Sequence, residues 1–111
     1  MLINMTPHVI AVNEKDGVQS MILPSGTVCR LKEKIEYCEE IKGIKIYNKT
    51  LMGVSNLPIQ KPNVYYIVSS MVAQTVERTD LLVPNAVRNN NRRVIGCDGF
   101  FRIIGGTNEQ R

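Results

Sequence analysis

The sequence predicts an α+β protein with a mostly antiparallel β-sheet and one short helix. The prediction rests on three observations: about six short segments with strand-like apolar patterns, turn-forming Gly, Pro and Asn between them, and a single helix-like stretch. The 111 residues, 43% hydrophobic and 22% charged, have the size and composition of one globular domain. We expect residues 1–104 to form that domain and residues 105–111 to be a flexible C-terminal tail.

The first half of the chain is expected to consist of strands. Residues 8–12 and 18–23 are rich in apolar residues and flank a turn that ends in glycine, which predicts a hairpin. Residues 27–37 and 44–51 alternate between apolar and polar side chains, a pattern typical of strands. The prolines in residues 54–63 predict a loop, because proline disturbs a central ladder.

The second half contains the best candidate for a central strand. Residues 64–68 carry no charge, as expected of a strand covered on both faces. Ser69 and Ser70 follow it and can cap a short helix over residues 71–78, because a serine hydroxyl accepts a hydrogen bond from a free amide of the first turn. Three consecutive asparagines, residues 89–91, tolerate positive φ and predict the turn of a final hairpin.

Cysteine usage and the ends of the chain set further limits. Cys29, Cys38 and Cys97 are an odd number without metal-ligand spacing, so we expect reduced thiols in the core and no metal site. No apolar run approaches the roughly 20 residues of a membrane span, and the N-terminus has no signal-peptide pattern. These features indicate a cytoplasmic protein. The net charge of +4 favours anionic partners without the charge density of a duplex-DNA binder.

Catalysis has little support in the sequence. There is no nucleophile elbow, no phosphate-binding glycine loop and no dinucleotide fingerprint. His8 is the only imidazole, and near a Thr-Pro turn it is more often a turn contact than a catalytic base. We therefore expect no enzyme, no catalytic residue and no cofactor.

The arginines are concentrated near the C-terminal end. Five of the seven lie within residues 78–102, which also hold both phenylalanines of the chain. A guanidinium binds a phosphate with two hydrogen bonds, and a flat ring stacks on a base, so the pairing suits a nucleotide. The alternative is structural. On a strand Phe100 and Phe101 point to opposite faces, so at least one belongs to the core, and Arg92 and Arg93 at a hairpin end are simply solvated.

Five segments in a fixed order carry a family resemblance: residues 4–8 (Asn-Met-Thr-Pro-His), residues 24–30 (Pro-Ser-Gly-Thr-Val-Cys-Arg), residues 66–73 (Tyr-Ile-Val-Ser-Ser-Met-Val-Ala), residues 78–80 with 83–84, and residues 94–100 (Val-Ile-Gly-Cys-Asp-Gly-Phe). Over residues 2–104 the chain resembles the small phage proteins of the first Thoeris anti-defence family. The resemblance implies a protein that sequesters cyclic ADP-ribose isomers in the cytoplasm of the infected bacterial host without cleaving them. It also implies a homo-oligomer with interface pockets and uptake of cyclic oligonucleotides at separate sites.

From this resemblance we assign the ligand's pyrophosphate to the arginine-rich region. Arg78, Arg93 or Arg102 would bind it, together with the amides that follow Ser69 and Ser70. The partial positive charge at the N-terminus of a helix favours such an anion, although most helix N-termini bind only water.

The remaining ligand contacts are assigned in the same way. The base would stack on Phe100 or Phe101, and Asn90 or Asn91 would bind an adenine edge or a ribose hydroxyl. Arg30 would reach a second anion or one on a neighbouring subunit.

Three further polar residues are expected to be structural. Asp80 is predicted to orient an arginine as an ion pair. Asn4 and His8 match the opening motif of the family, but no physical argument from the sequence makes them ligand residues.

Two other classes of function stay open. A single-stranded nucleic-acid-binding protein would use the same basic charge and aromatic rings, although six Tyr and Phe are few for a stacking surface. A virion structural or adaptor protein would need only strands and oligomerisation.

Overall fold

The computed structural model describes residues 1–105. Its elements follow one another as β1 (Leu2–Asn4), β2 (Ile10–Asn13), β3 (Gln19–Ile22), β4 (Arg30–Ile41), β5 (Ile44–Ser55), β6 (Tyr65–Ile67), α1 (Ser70–Thr75), β7 (Leu81–Arg88) and β8 (Val94–Phe101). No helix in this part of the chain is long and apolar enough to cross a membrane. The predicted tail, residues 105–111, lies outside the described residues except for Gly105.

Six strands form one mixed sheet in the order β1-β6-β7-β8-β2-β3, and β4 pairs only with β5 in a separate ribbon. The expected antiparallel pairs are present: β2 with β3, β4 with β5 and β7 with β8. Three parallel pairs join them, β1 with β6, β6 with β7 and β2 with β8. The protein is therefore mostly β-sheet with one short helix, as predicted, and α1 lies in the crossover from β6 to β7.

The two edge strands of the large sheet meet at one point. Asn4 at the end of β1 forms a parallel bridge with Pro24, just after β3. The backbone amide of Ser25 donates to the carbonyl of Asn4 at 2.9 Å. The sheet is thus curled so that its first and last strands are in contact, which leaves a concave side.

Strand β6 is covered on both faces, as its lack of charge predicted. Tyr66 and Val68 are buried in one hydrophobic cluster, whereas Ile67 is buried in another. Because successive side chains of a strand point to opposite faces, the two clusters cover the two sides of the sheet. The strand lies second from the edge, between β1 and β7, rather than at the centre.

The helix begins where predicted and ends earlier. Ser69 is the N-cap, and its hydroxyl accepts a hydrogen bond from the amide of Val72 at 3.3 Å. The helix covers Ser70–Thr75 instead of residues 71–78, because Val76 has extended backbone angles, φ −121° and ψ 118°. A β-branched residue at this position favours the extended conformation.

The final hairpin is confirmed, but its turn is built differently from the prediction. The side-chain oxygen of Asn89 accepts hydrogen bonds from the amides of Asn91 and Arg93, at 2.9 and 3.0 Å. The left-handed position of the turn is Arg92, with φ 63°, rather than one of the asparagines. Asn89 therefore stabilises the turn through its side-chain oxygen, and none of the three asparagines adopts the positive φ that was expected.

The β4–β5 ribbon, residues 30–55, is called the arm below. Its two-residue turn has positive φ at both Lys42 (50°) and Gly43 (81°), as a tight type I′ hairpin requires. Leu31 and Val54 at the base of the arm pack against the core, whereas most of the arm beyond them is exposed. The molecule extends over 55 Å with a radius of gyration of 17.2 Å, against about 13 Å for a compact chain of this size.

Two of the three cysteines are buried, and the prediction of a core thiol is wrong for the third. Cys29 and Cys97 are buried, and burial is the main cause that raises the pKa of each thiol above its ordinary value. Cys38 is exposed on the arm, next to a register shift in the pairing of β4 with β5. The neighbouring Tyr37 is also exposed, so an apolar neighbour in the sequence does not indicate here that the cysteine is buried.

We predict selective thiol labelling of the folded protein. In native buffer at pH 8, an alkylating reagent will modify Cys38 at least about a hundredfold faster than Cys29 or Cys97, because the buried thiols react only after local opening and only as thiolates. Mass spectrometry of the labelled peptides measures the three rates. Equal rates in native buffer would contradict the burial of Cys29 and Cys97, and equal rates in denaturant are the control.

The raised pKa values of the two buried thiols also predict how stability depends on pH. When burial raises the pKa of a thiol above its unfolded-state value of about 8.5, the thiol is protonated in both states below pH 8.5 and does not change the free energy of unfolding there. Above that pH the unfolded state loses the proton first, so the free energy of unfolding falls as the pH rises. Denaturant titrations at pH 7.5 and pH 10 compare the two conditions, and replacing Cys29 or Cys97 with alanine should reduce the difference.

Candidate functional site

A cavity of about 640 Å³, called the large cavity below, is lined by parts of the six-stranded sheet and its connections. Such a volume lies within the roughly 300–1,000 Å³ of small-molecule sites. Its walls come from the loop after β1, the end of β6, the middle of β7 and the start of β8. The lining residues are residues 6–11, residues 68–70, Val83, Pro84, Ala86 and residues 94–97.

The lining is mostly apolar with a few polar groups near its rim. Hydroxyls come from Thr6, Ser69 and Ser70, and His8 contributes an imidazole. None of the lining residues is Lys, Arg, Asp or Glu. An apolar chamber with a few hydrogen-bonding groups is the usual form of a site for a flat, uncharged portion of a ligand.

One buried amide holds the loop that forms a wall of this cavity. The Asn4 side chain is 1% exposed, and its Nδ2 donates to the carbonyls of His8 and Ile22 at 2.7 and 3.1 Å. Its Oδ1 accepts from the amide and the hydroxyl of Thr6 at 2.9 and 2.7 Å. Four hydrogen bonds from one side chain thus fix residues 6–8 against the end of β3. The structural role predicted for Asn4 is observed.

The same loop is held on its other side by backbone hydrogen bonds. The amide of Met5 donates to the carbonyl of Ile67, and the amide of Cys29 donates to the carbonyl of Met5, both at 2.9 Å. The segment therefore lies between β6 and the chain that leads into the arm.

A second cavity of about 250 Å³ adjoins the first and contains a cation. It shares three lining residues with the large cavity, Thr6, Pro7 and Ser69, so these residues border both spaces. Arg30, the first residue of β4, is exposed and lines it. The remaining lining residues are Met5, Val28, Cys29 and Leu31. The two spaces together are called the joined cavities below.

Of the ten residues predicted for the site, the joined cavities bring together Arg30, Ser69 and Ser70. Arg78 is engaged elsewhere. Its Nε and Nη2 donate to the two carboxylate oxygens of Asp80 at 2.9 and 2.6 Å, and Asp80 is 3% exposed. The hydrogen bond to Asp80 is the main cause that raises the pKa of Arg78. The ion pair expected for Asp80 is thus present.

Arg102 lies in a different, smaller cavity of about 170 Å³. Its Nε donates to the carbonyl of Thr79 at 2.8 Å, and its guanidinium carbon lies 5.8 Å from the centre of the Tyr65 ring. Asn90, Asn91 and Arg93 are exposed in the turn between β7 and β8.

The two phenylalanines lie in different environments, as their alternation on β8 requires. Phe100 packs against the cluster of Ile10, Ile67 and Cys97, whereas Phe101 is 50% exposed. A single chain therefore does not gather the C-terminal arginines and a phenylalanine into one concavity. Their joint role in an assembly of several chains stays a prediction.

Sequence reasoning missed most of the residues that line the large cavity. Thr6 and His8 belong to the motif of residues 4–8, in which no residue type by itself indicates a ligand, and Ile95 and Gly96 lie in a segment whose pattern predicts only strand and turn. The sequence contains one indication of the conformation at Thr6. An asparagine side chain can accept a hydrogen bond from the backbone amide two residues later, and Asn4 stands two positions before Thr6. The parallel pairing of β2 with β8 that brings the other residues here has no local sequence signal.

No cluster of three or more His, Cys, Asp or Glu suited to hold a metal ion occurs within residues 1–105. Comparison of the chain with protein-family models, curated proteins and solved structures finds no match.

We predict that Asn4→Ala destabilises the protein by about 2–4 kcal/mol, because the side chain is buried and its loss leaves two carbonyls and two donors without these partners. Chemical denaturation measures the free energy of unfolding. Asn48→Ala, an exposed amide on the arm, is the matched control and should change it by less than about 0.5 kcal/mol. Asn4→Asp, which keeps the acceptor and loses the donors, should also destabilise. Wild-type stability of Asn4→Ala would show that the four bonds do not hold the loop.

Proposed function

We propose that this chain binds and holds a nucleotide-sized anionic molecule in the joined cavities without changing it. The observation that carries the proposal is the juxtaposition of an apolar cavity of about 640 Å³ with a smaller one that contains Arg30. A nucleotide has the matching division, a flat base beside charged phosphates.

The chemistry of each part of the joined cavities supports a ligand whose base lies in the large cavity and whose phosphates lie near Arg30. Val94 and Ile95, both more than half exposed, supply apolar surface for a base in the large cavity. Ser69, which lines both spaces, has a hydroxyl proton to donate to a ribose oxygen, and Thr6 Oγ1, whose proton goes to Asn4, accepts from a ribose hydroxyl. Arg30 lies beyond them and supplies a guanidinium, which binds phosphate with two parallel hydrogen bonds.

The sequence resemblance supports a narrower ligand class. Cyclic ADP-ribose isomers contain one adenine, ribose hydroxyls and two phosphates, so they carry both the apolar and the anionic parts that the joined cavities accommodate. On this proposal the chain is a phage anti-defence protein in the host cytoplasm that removes these immune signals from solution. Cyclic oligonucleotides, which the resemblance also implies, are a second ligand class for the test.

Sequestration needs only affinity for the ground state of the ligand, whereas an enzyme must bind a transition state more tightly. A concave, partly apolar site with a few hydrogen-bonding groups suffices for that purpose. The proposed protein is therefore a stoichiometric binder, whose effect depends on its concentration relative to the signal.

We predict that cyclic ADP-ribose raises the melting temperature of the full-length protein in a concentration-dependent way, since a ligand that binds only the folded state stabilises it. Isothermal titration calorimetry gives the affinity. NAD, linear ADP-ribose and a single-stranded oligonucleotide serve as comparison ligands. Steeply salt-dependent binding of the oligonucleotide alone would favour the nucleic-acid-binding alternative.

Two arginine variants discriminate the joined cavities from a site at the C-terminal arginines. Arg30→Ala should weaken binding about ten- to a hundredfold, the loss expected for a charge-assisted hydrogen bond to phosphate. Arg93→Ala, an equally exposed arginine outside the joined cavities, should change the affinity less than about twofold. The reverse pattern would move the site to the turn between β7 and β8. Ala86→Trp, which fills the large cavity from an exposed position, should abolish binding with the fold retained.

The fate of the ligand is measured separately. Heating the complex should release the cyclic molecule chemically unchanged, as identified by mass spectrometry. Recovery of linear ADP-ribose would show that the protein is an enzyme.

A further inference from the structure

The joined cavities contain few side chains that can carry a charge. Within residues 1–105, the titratable residues that line them are His8 from the loop after β1, Cys97 from β8, and Cys29 and Arg30 where the chain enters the arm. The lining parts of β2, β7 and α1 contribute none. Burial raises the pKa of both thiols, so they are neutral near neutral pH. The guanidinium of Arg30 therefore supplies the one charge of this lining that does not depend on pH.

A single fixed cation does not balance the ligand class of the proposed function. A cyclic ADP-ribose isomer has two phosphates with one negative charge each, and Arg30 compensates one of them. A second anion beside mostly apolar walls is costly unless another cation or several hydrogen-bond donors meet it. An imidazole is the side chain whose charge ordinarily changes between about pH 5 and 8. His8 is thus the group of this lining that can supply the second positive charge.

The fold fixes the backbone of His8 and leaves its ring available. The carbonyl of His8 accepts from Asn4 Nδ2 at 2.7 Å, and its amide donates to Thr6 Oγ1 at 3.4 Å. The side chain is exposed, and among the described residues neither ring nitrogen takes part in a hydrogen bond or an ion pair. The preceding residue, Pro7, borders both cavities, and the Cα atoms of neighbouring residues are about 3.8 Å apart. His8 is therefore held next to the boundary between the two spaces.

We propose that His8 is the second anion-binding residue of the joined cavities, and that its imidazole takes up a proton when a ligand with two phosphates binds. The imidazolium pairs with the phosphate that Arg30 does not bind. The proton comes from the buffer and goes to a ring nitrogen, and no bond of the ligand is formed or broken. This role rests on the proposed function, because it requires the doubly charged ligand class.

The direction of the pH dependence follows from linkage. A nearby anion favours the protonated imidazole, so the ligand promotes proton uptake and the proton promotes ligand binding by the same factor. The dissociation constant of a two-phosphate ligand therefore falls as the pH falls through the range in which imidazole titrates. A ligand with one negative charge is balanced by Arg30 alone and shows little of this dependence. The joined cavities thereby favour doubly charged nucleotides under mildly acidic conditions.

Calorimetry of the wild-type, full-length protein counts the protons without any variant. Cyclic ADP-ribose is titrated at pH 7 in two buffers of different ionisation enthalpy, and the difference in binding enthalpy gives the number of protons taken up. We expect about half a proton per ligand. Cyclic AMP, which has one phosphate with one negative charge, is the matched ligand control and should bind without measurable proton uptake.

Two variants of His8 identify the group that takes up the proton. For the wild type, the dissociation constant of cyclic ADP-ribose should be about five- to twentyfold lower at pH 6 than at pH 8. His8→Asn keeps a polar side chain without this titration, so its two values should differ less than about twofold and match the wild type at pH 8 within about threefold. His8→Lys supplies a permanent cation and should bind tightly at both pH values without proton uptake.

The possible failures of this proposal and of the proposed function are distinguishable. Wild-type protein that binds cyclic ADP-ribose with neither proton uptake nor pH dependence overturns the role of His8 and leaves the proposed function standing. Equal weakening by His8→Asn at pH 6 and pH 8 also overturns it, because it shows a purely structural residue. Absence of binding of every nucleotide at both pH values overturns the proposed function and this role together. Circular dichroism of each variant confirms that the fold is kept.

Discussion

The site and the curled sheet depend on the four hydrogen bonds of the Asn4 side chain. A carboxamide has two donors and an oxygen that accepts twice, and in this buried position every one of these capacities is used. An aspartate would lack both donors and a leucine would lack all four interactions. Because the donors reach His8 and Ile22 while the oxygen holds Thr6, one residue at the end of β1 joins the two edges of the sheet and shapes the wall of the large cavity. A buried polar network of this kind is stabilising only when it is complete.

The division of arginines between structure and binding follows from desolvation. Asp80 is buried, so withdrawal of Arg78 towards a phosphate would leave a carboxylate without its counter-charge in a poorly solvated place. The bidentate pair therefore commits Arg78 to the fold. Among the described residues 1–105, Arg30 has no carboxylate oxygen within 4 Å, and it is exposed where it lines the second cavity. A cation in that position breaks no structural ion pair when it binds a ligand, in contrast to Arg78.

Local patterns in the sequence predicted the local structure well. Turn residues and alternation predicted the β2–β3 and β7–β8 hairpins, the absence of charge predicted the covered strand β6, and Ser69 predicted the helix start. The parallel pairs were beyond reach, because they join segments far apart in the chain and depend on the packing of both. The concentration of arginines in residues 78–102 was misleading for the same reason: neighbours on a strand point to opposite faces, and a strand end and a hairpin turn lie far apart in space. Three predicted residues meet at the joined cavities because residues 69–70 and Arg30 border one loop.

The arm and the joined cavities are connected through Arg30 and Leu31, the first two residues of β4. Arg30 is the first residue of β4, and Leu31 beside it packs against the core, so the strand that the arm extends also carries the cation of the site. A ribbon with an open edge moves more than a strand within a sheet, and ordering a side chain on it at the moment of ligand binding costs free energy.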